Sequence, residues 1–151
     1  MDFPDLIDPS DLGIHFFYEE VSFELIEETT AKWLTTVVET EDKILRSIRF
    51  IFCQDAYLHQ INIDYLDHDT LTDVITFPYA TEEEIVDGEI FISIDRVADN
   101  AKTFNITFEQ ELNRVMVHGV LHLCGYDDKG KEAKEKMTEK EDYYLKRMNS
   151  L

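Results

Sequence analysis

"TFEQELNRVMVHGVLHLCGYDD", residues 107–128, decides how the rest of the chain is arranged. Thr107 and Gln110 form a T-x-x-Q capping box, in which each side chain satisfies a backbone donor of the other residue. Gly125 supplies an inexpensive left-handed stop, so the pattern predicts a helix running to that glycine. From Val115 to Cys124 the helix is apolar on nearly every side except at His118 and His122. A helix of that kind is buried in the middle of a domain, and the other elements must wrap it.

Upstream, "GIHFFYEEV" (13–21) reads as a strand, and Ser22 is the expected cap of a helix carrying Phe23, Ile26, Trp33, Leu34 and Val37. "SIRFIFC" (47–53) alternates like a strand, and "DAYLHQINIDYL" (55–66) places Leu58, Ile61 and Tyr65 on one helical face. "DVITFPY" (73–79) is a third strand, ended by Pro78 at a sheet edge or strand end, and "GEIFISI" (88–94) is a fourth. A short helix follows from about Asp95 to Phe104, and a charged last helix (131–147) carries Ala133, Met137, Tyr144 and Met148 as a packing stripe. The order β-α-β-α-β-β-α-α-α predicts one α/β or α+β domain over residues 1–151, a mixed four-stranded sheet with about five helices. Residues 1–13, acidic and with two prolines, read as an exposed lead-in.

A chain of 151 residues with 44% apolar content can bury a real core in one domain. Its apolar runs are too short for a membrane span, and the acidic start lacks the layout of a secretion signal. Two cysteines, Cys53 and Cys124, are too few for a disulfide framework and point to a reducing cytoplasm. The net charge of −19 argues against non-specific attraction to phosphate backbones, and no DNA partner is expected. Residues 129–151 hold 7 of the 14 Lys and Arg against 5 acids, which leaves −21 on residues 1–128. Lys129, Lys131 and Lys134, just past the quoted stretch, are either solvated or available to a phosphate.

Residues four apart on a helix share a face, so His118 and His122 can aim two imidazoles at one ion. Gly125 turns the chain, and Asp128 can swing back as a third ligand, leaving one position open as in catalytic zinc sites. Cys124 stands about 200° around the axis from His122 and reads as a small buried apolar residue. His15, His59 and His68 fall in no ligand pattern. The residue after the first histidine is Gly119, where zinc peptidases carry a water-activating glutamate, so a peptidase is disfavoured. Gly119 either admits a substrate or backbone beside the metal or simply allows close helix packing. Asp127, Asp73 and Glu89 are the candidate catalytic carboxylates, Asp127 also as an acceptor from a ligand imidazole.

"HGVLHLCGYDD" (118–128) resembles the H-G-x-L-H-L-x-G-Y-D-H signature of the YbeY family, bacterial rRNA maturation factors regarded as metal-dependent endoribonucleases. "TDVITFP" (72–78), preceded by Asn62 and Tyr65, and "DGEIFIS" (87–93) resemble two further blocks of that family, in the same order. The resemblance covers roughly residues 40–148. It implies a zinc-dependent hydrolase that cleaves single-stranded RNA at the small ribosomal subunit. Two positions depart from the pattern: Asp128 stands where the family has a third histidine, and Leu66 where it has an arginine. A carboxylate makes the site harder, and leucine cannot hold a phosphate with paired donors. The alternative is a non-catalytic ribosome assembly factor whose zinc stabilises the fold.

Overall fold

Alternating side chains build four strands, β1 (Gly13–Tyr18), β2 (Ile44–Cys53), β3 (Val74–Pro78) and β4 (Ile85–Ser93). They lie in the order β1-β2-β4-β3. The first three of that order run parallel, and β3 pairs antiparallel with β4, so the sheet is mixed. Five α-helices among the described residues accompany it: α1 (Glu27–Thr40), α2 (Asp55–Leu66), α3 (Ile94–Phe104), α4 (Phe108–Leu123) and α5 (Lys131–Met148). The structure, a computed structural model, describes residues 9–67 and 72–148. Residues 1–8 of the expected lead-in, and His68, lie outside the described residues; residues 9–11 form a single 3-10 turn.

Helix α4 begins as its sequence requires. Thr107 Oγ1 accepts the Gln110 N–H at 3.0 Å, and the Gln110 side chain accepts the Thr107 N–H at 2.9 Å. Leu112, Val115, Met116, Val117, Val120 and Leu121 are all buried, against a sheet face built from Ile48, Phe50, Phe52, Val86, Ile90 and Ile92. Close approach is made possible by two glycines. A Cβ on Gly119 would stand 2.8 Å from Ile90 Cγ2, and one on Gly88 would stand 2.6 Å from the Phe77 carbonyl oxygen. Gly119 therefore serves helix–sheet packing and faces away from solvent. Helix α5 closes the far side: Met137 and Tyr144 are buried as the stripe predicts, and Trp33 Nε1 of α1 donates to the Tyr144 carbonyl at 2.9 Å. No helix among the described residues is long and apolar enough to cross a membrane.

One sequence expectation needs correction. Ser22 caps no helix; α1 starts at Glu27, and residues 21–26 are irregular. The reason is a period-two run: Val21, Phe23 and Leu25 turn half-buried toward the core while Ser22, Glu24 and Ile26 face out. Phe23 meets Phe52 and Phe108 edge-on, with ring centroids 5.0 and 5.7 Å apart, a contact made by a chain that is not helical there. On α2 the buried residues are Leu58 and Asn62, and Tyr65 is 72% exposed, its ring resting edge-on to Phe77.

Candidate metal centre

The C-terminal end of α4 is folded by its own backbone. Gly125 takes φ of +108°, its N–H bonds to the His122 carbonyl, and the Tyr126 N–H bonds to the Leu121 carbonyl. That is a Schellman ending, which satisfies two carbonyls the helix would otherwise leave open. Asp127 Oδ1 then accepts the backbone N–H groups of Asp128 and Lys129 at 2.7 and 3.0 Å, and these bonds hold its carboxyl below the usual range. The tight turn carries Asp128 back over the helix. Its Oδ2 stands 3.3 Å from His118 Nε2 and 3.3 Å from His122 Nε2, and the two Nε2 atoms are 3.0 Å apart.

The remaining ring nitrogens explain what those three atoms are. His122 Nδ1 lies 2.9 Å from the Tyr126 carbonyl oxygen, which can only accept, so Nδ1 carries the hydrogen. His118 Nδ1 lies 2.6 Å from Glu141 Oε2 and donates for the same reason. With both rings neutral, both Nε2 atoms present lone pairs to one another and to a carboxylate oxygen. That crowding of electron density is relieved either by a second proton on His118, whose affinity for it is lowered by burial but raised overall by Glu141 and Asp128, or by a cation seated among the three atoms. Donors bound to a tetrahedral ion at about 2.0–2.2 Å stand about 3.3–3.6 Å apart, close to the observed triangle. The three residues therefore fit a divalent cation, and Asp128, 40% exposed at its side chain, leaves the site open to solvent. A cleft of about 460 Å³ borders His122 and runs between Gly125 and the turn after β3, past Pro78, Thr81 and Asp87.

The other candidate carboxylates part company. Glu89 projects from the sheet face opposite α4, where it accepts the Tyr79 hydroxyl and lies 3.9 Å from Arg49. Asp127 shapes the turn and receives no imidazole hydrogen. Asp73 is placed beside the site: Asn100 Nδ2 lies 3.5 Å from its Oδ2, and it feels the charges of His118 and Glu141. Burial pushes its carboxyl above the ordinary value, against the pull of nearby backbone N–H groups and His118. His15 is occupied locally, its Nε2 2.9 Å from the Leu12 carbonyl. Leu66 ends α2 half in solvent.

Sequence reading missed Glu141 and Glu111. Glu141 occupies the α5 stripe between Met137 and Tyr144, and an acid at that spacing was the available signal. Glu111, two turns before His118 on the same face of α4, is 3% exposed, and its Oε1 has no hydrogen-bond partner among the described residues. Burial raises the Glu111 carboxyl, helped by Asp73 and Glu141 and opposed by Arg114. A carboxyl raised in the folded state favours folding when neutral, so its contribution is full below about 4.5 and is lost as pH rises through the raised value. Glu111→Gln is expected to stabilise the chain by about 1 kcal/mol at pH 7, about 3 °C in Tm, with the gain shrinking toward pH 4. Melting curves from pH 4 to 8 decide it; a gain that does not change with pH would show that ionisation is not the cause.

A cluster of two imidazoles and one carboxylate that could hold a metal ion, half open, at the end of a buried helix on a mixed sheet is the arrangement expected of a metal-centre protein of the hydrolase type. The chain belongs to the YbeY family: the model of that family, described as Endoribonuclease YbeY, matches residues 16–149. An Endoribonuclease YbeY from Flavobacterium johnsoniae is 52% identical over 85% of this chain and 92% of its own length. One from Amoebophilus asiaticus is 48% identical over 88% and 91%. Among solved structures, TM1509 from Thermotoga maritima, determined in solution, matches with a TM-score of 0.67 and 33% identity, covering 89% of this chain and 88% of that one.

Proposed function

We propose that the chain is a metal-dependent endoribonuclease that cleaves single-stranded RNA during ribosomal RNA maturation, with the small ribosomal subunit presenting its substrate in a reducing cytoplasm. The observation that carries this reading is the convergence of His118 Nε2, His122 Nε2 and Asp128 Oδ2, three atoms that can each donate a lone pair to one cation, within 3.3 Å of one another. Membership of a family whose relatives bear the name endoribonuclease supplies the reaction. The two free, buried cysteines suit a reducing compartment.

His118, His122 and Asp128 would hold one divalent ion, and two nitrogens with one oxygen suit zinc. Such an ion acidifies water and draws electrons from a phosphoryl oxygen. Glu141 and the Tyr126 carbonyl fix which ring nitrogen of each histidine faces the ion. Asp73 handles the proton: its raised carboxyl beside His118 can accept one from the attacking group and return it to the leaving oxygen. With −19 overall, the chain draws little help from backbone attraction, so phosphate recognition concentrates at the centre itself. Leu66, which offers no cation to a phosphate, favours a second reading, a non-catalytic assembly factor with a fold-stabilising ion.

The test is cleavage of a labelled, unstructured RNA by purified wild-type and Asp73→Asn chains, before and after chelation and after zinc is restored. Wild type should cut, stop on chelation and recover. Asp73→Asn should keep its zinc and cut about 10²–10⁴-fold more slowly. Cleavage that survives metal removal defeats the metal reading; a zinc-loaded wild type that never cuts leaves the assembly reading standing.

A further inference from the structure

None of the three ligand atoms comes from α5, yet α5 reaches the centre through one side chain. Glu141 is 6% exposed and sits between the two imidazole-bearing turns of α4 and its own apolar stripe. One oxygen accepts the His118 Nδ1–H at 2.6 Å, and the other accepts Arg114 Nη1–H at 2.9 Å. Arg114 lies one turn before His118 on α4, and its second nitrogen, Nη2, donates to Asp142 at 3.2 Å. With Oε2 held by the imidazole and Oε1 by the guanidinium, both the rotation and the position of the Glu141 carboxylate are fixed.

We infer that Glu141, aimed by Arg114, is a positioning residue for the metal centre: it fixes the tautomer and ring angle of His118 and thereby sets metal affinity. The inference rests on the metal reading above. An imidazole that carries its hydrogen on Nε2 has its lone pair on Nδ1 and offers none to a cation at Nε2. Glu141 removes that state by holding the hydrogen on Nδ1, and the negative charge behind the ring makes Nε2 a better donor. His122 has only a neutral carbonyl behind it, at 2.9 Å, so the two ligand rings are unequal and His118 is the stronger of the pair. A buried ion pair between neighbouring helices could instead serve docking alone, because Arg114 grips both Glu141 and Asp142. That difference is measurable. Asp142 shares the arginine but touches no ligand.

Zinc affinity is read by competition with a coloured chelator, on the full chain, for wild type, Glu141→Gln and Asp142→Asn. Glu141→Gln should bind zinc about 10–100-fold more weakly, and Asp142→Asn should stay within about twofold of wild type. In the zinc-loaded wild type, the His118 Nδ1–H should also give a slowly exchanging proton resonance, absent from Glu141→Gln. Equal losses in the two variants, or none in Glu141→Gln, overturn the inference while leaving the metal reading intact. A wild type that holds no zinc overturns both. Should Glu141→Gln be recovered unfolded, Glu141→Asp, which keeps the charge but withdraws it from Nδ1 by one methylene, is measured in its place with the same two outcomes.

Discussion

His118→Ala is expected to empty the chain of its ion and to slow RNA cleavage by at least about 10³-fold. An ion at this kind of centre supplies several kcal/mol of stabilisation to developing charge, and each 1.36 kcal/mol is about tenfold in rate. Removing one of three donors leaves His122 Nε2 and Asp128 Oδ2 as a two-atom site. The loss reaches further than the ion. Glu141 Oε2 loses the hydrogen it accepts, in a place where water has little access, so the metal-free variant should also be less stable by about 1–3 kcal/mol. His15→Ala is the matching control, since that ring lies far along the chain from the triangle and bonds to the Leu12 carbonyl. Elemental analysis of the purified proteins, with cleavage rates on the same samples, decides the matter. Wild-type metal content in His118→Ala would place the ion somewhere other than this triangle.

How much of that triangle could be read in advance depends on how local each part is. His118 and His122 are related by helical spacing, and Asp128 by a glycine stop and a two-residue turn, so all three follow from eleven consecutive residues. Glu141 follows from nothing local. It reaches His118 because α5 folds back along α4, and the sequence shows only an acid on an apolar stripe, which reads as a packing exception. Asp73 is similar: antiparallel pairing of β3 with β4 sets its carbonyl on the Ser93 N–H and its carboxylate against Asn100 of α3, within reach of the His118 charge, and neither contact is visible before the sheet is known. Glu89 is a candidate carboxylate that could equally be a solvated strand-edge acid, and strand alternation sends it to the opposite face from Ile90.

The fold was legible where one period dominated. All four strands and four of the five helices lie within a few residues of their predicted positions, because alternation or a cap marks them. The exception, the start of α1, is a place where two periods compete. Residues 21–26 satisfy a loose helical spacing through Phe23 and Ile26, and equally a strict alternation through Val21, Phe23 and Leu25. The aromatic contacts of Phe23 with Phe52 and Phe108 favour the extended form, and those partners are 29 and 85 residues away. On α2 the expected face holds: Leu58 and Ile61 pack into one small cluster with Phe77, and the Tyr65 ring rests edge-on to Phe77 with most of its surface in water.

Gly119→Glu writes the peptidase pattern H-E-x-x-H into α4, and it is expected to cost the chain its fold without conferring a new activity. Position 119 lies about 100° around the helix from His118, toward the sheet and away from the side where Asp128 returns. There, a Cβ alone would stand 2.8 Å from Ile90 Cγ2 and 3.1 Å from its Cδ1. Ile90 has no exposed surface and belongs to the central cluster with Val86 and Ile92, so it has no free direction in which to yield. Overpacking of that kind costs about 1–3 kcal/mol, which is the expected effect of Gly119→Ala. A glutamate adds a carboxylate in apolar surroundings, several kcal/mol more unless it stays neutral. The sum, more than about 5 kcal/mol, is comparable with the whole stability of a domain of this size. Gly119→Ala should therefore fold, bind zinc and melt several degrees lower, while Gly119→Glu should be insoluble or unfolded. A Gly119→Glu chain that melted at the wild-type temperature would mean that α4 is not pressed against β4. The glycine would then be free to admit a base at the metal, and the division of labour between Asp73 and the ion would have to be drawn again.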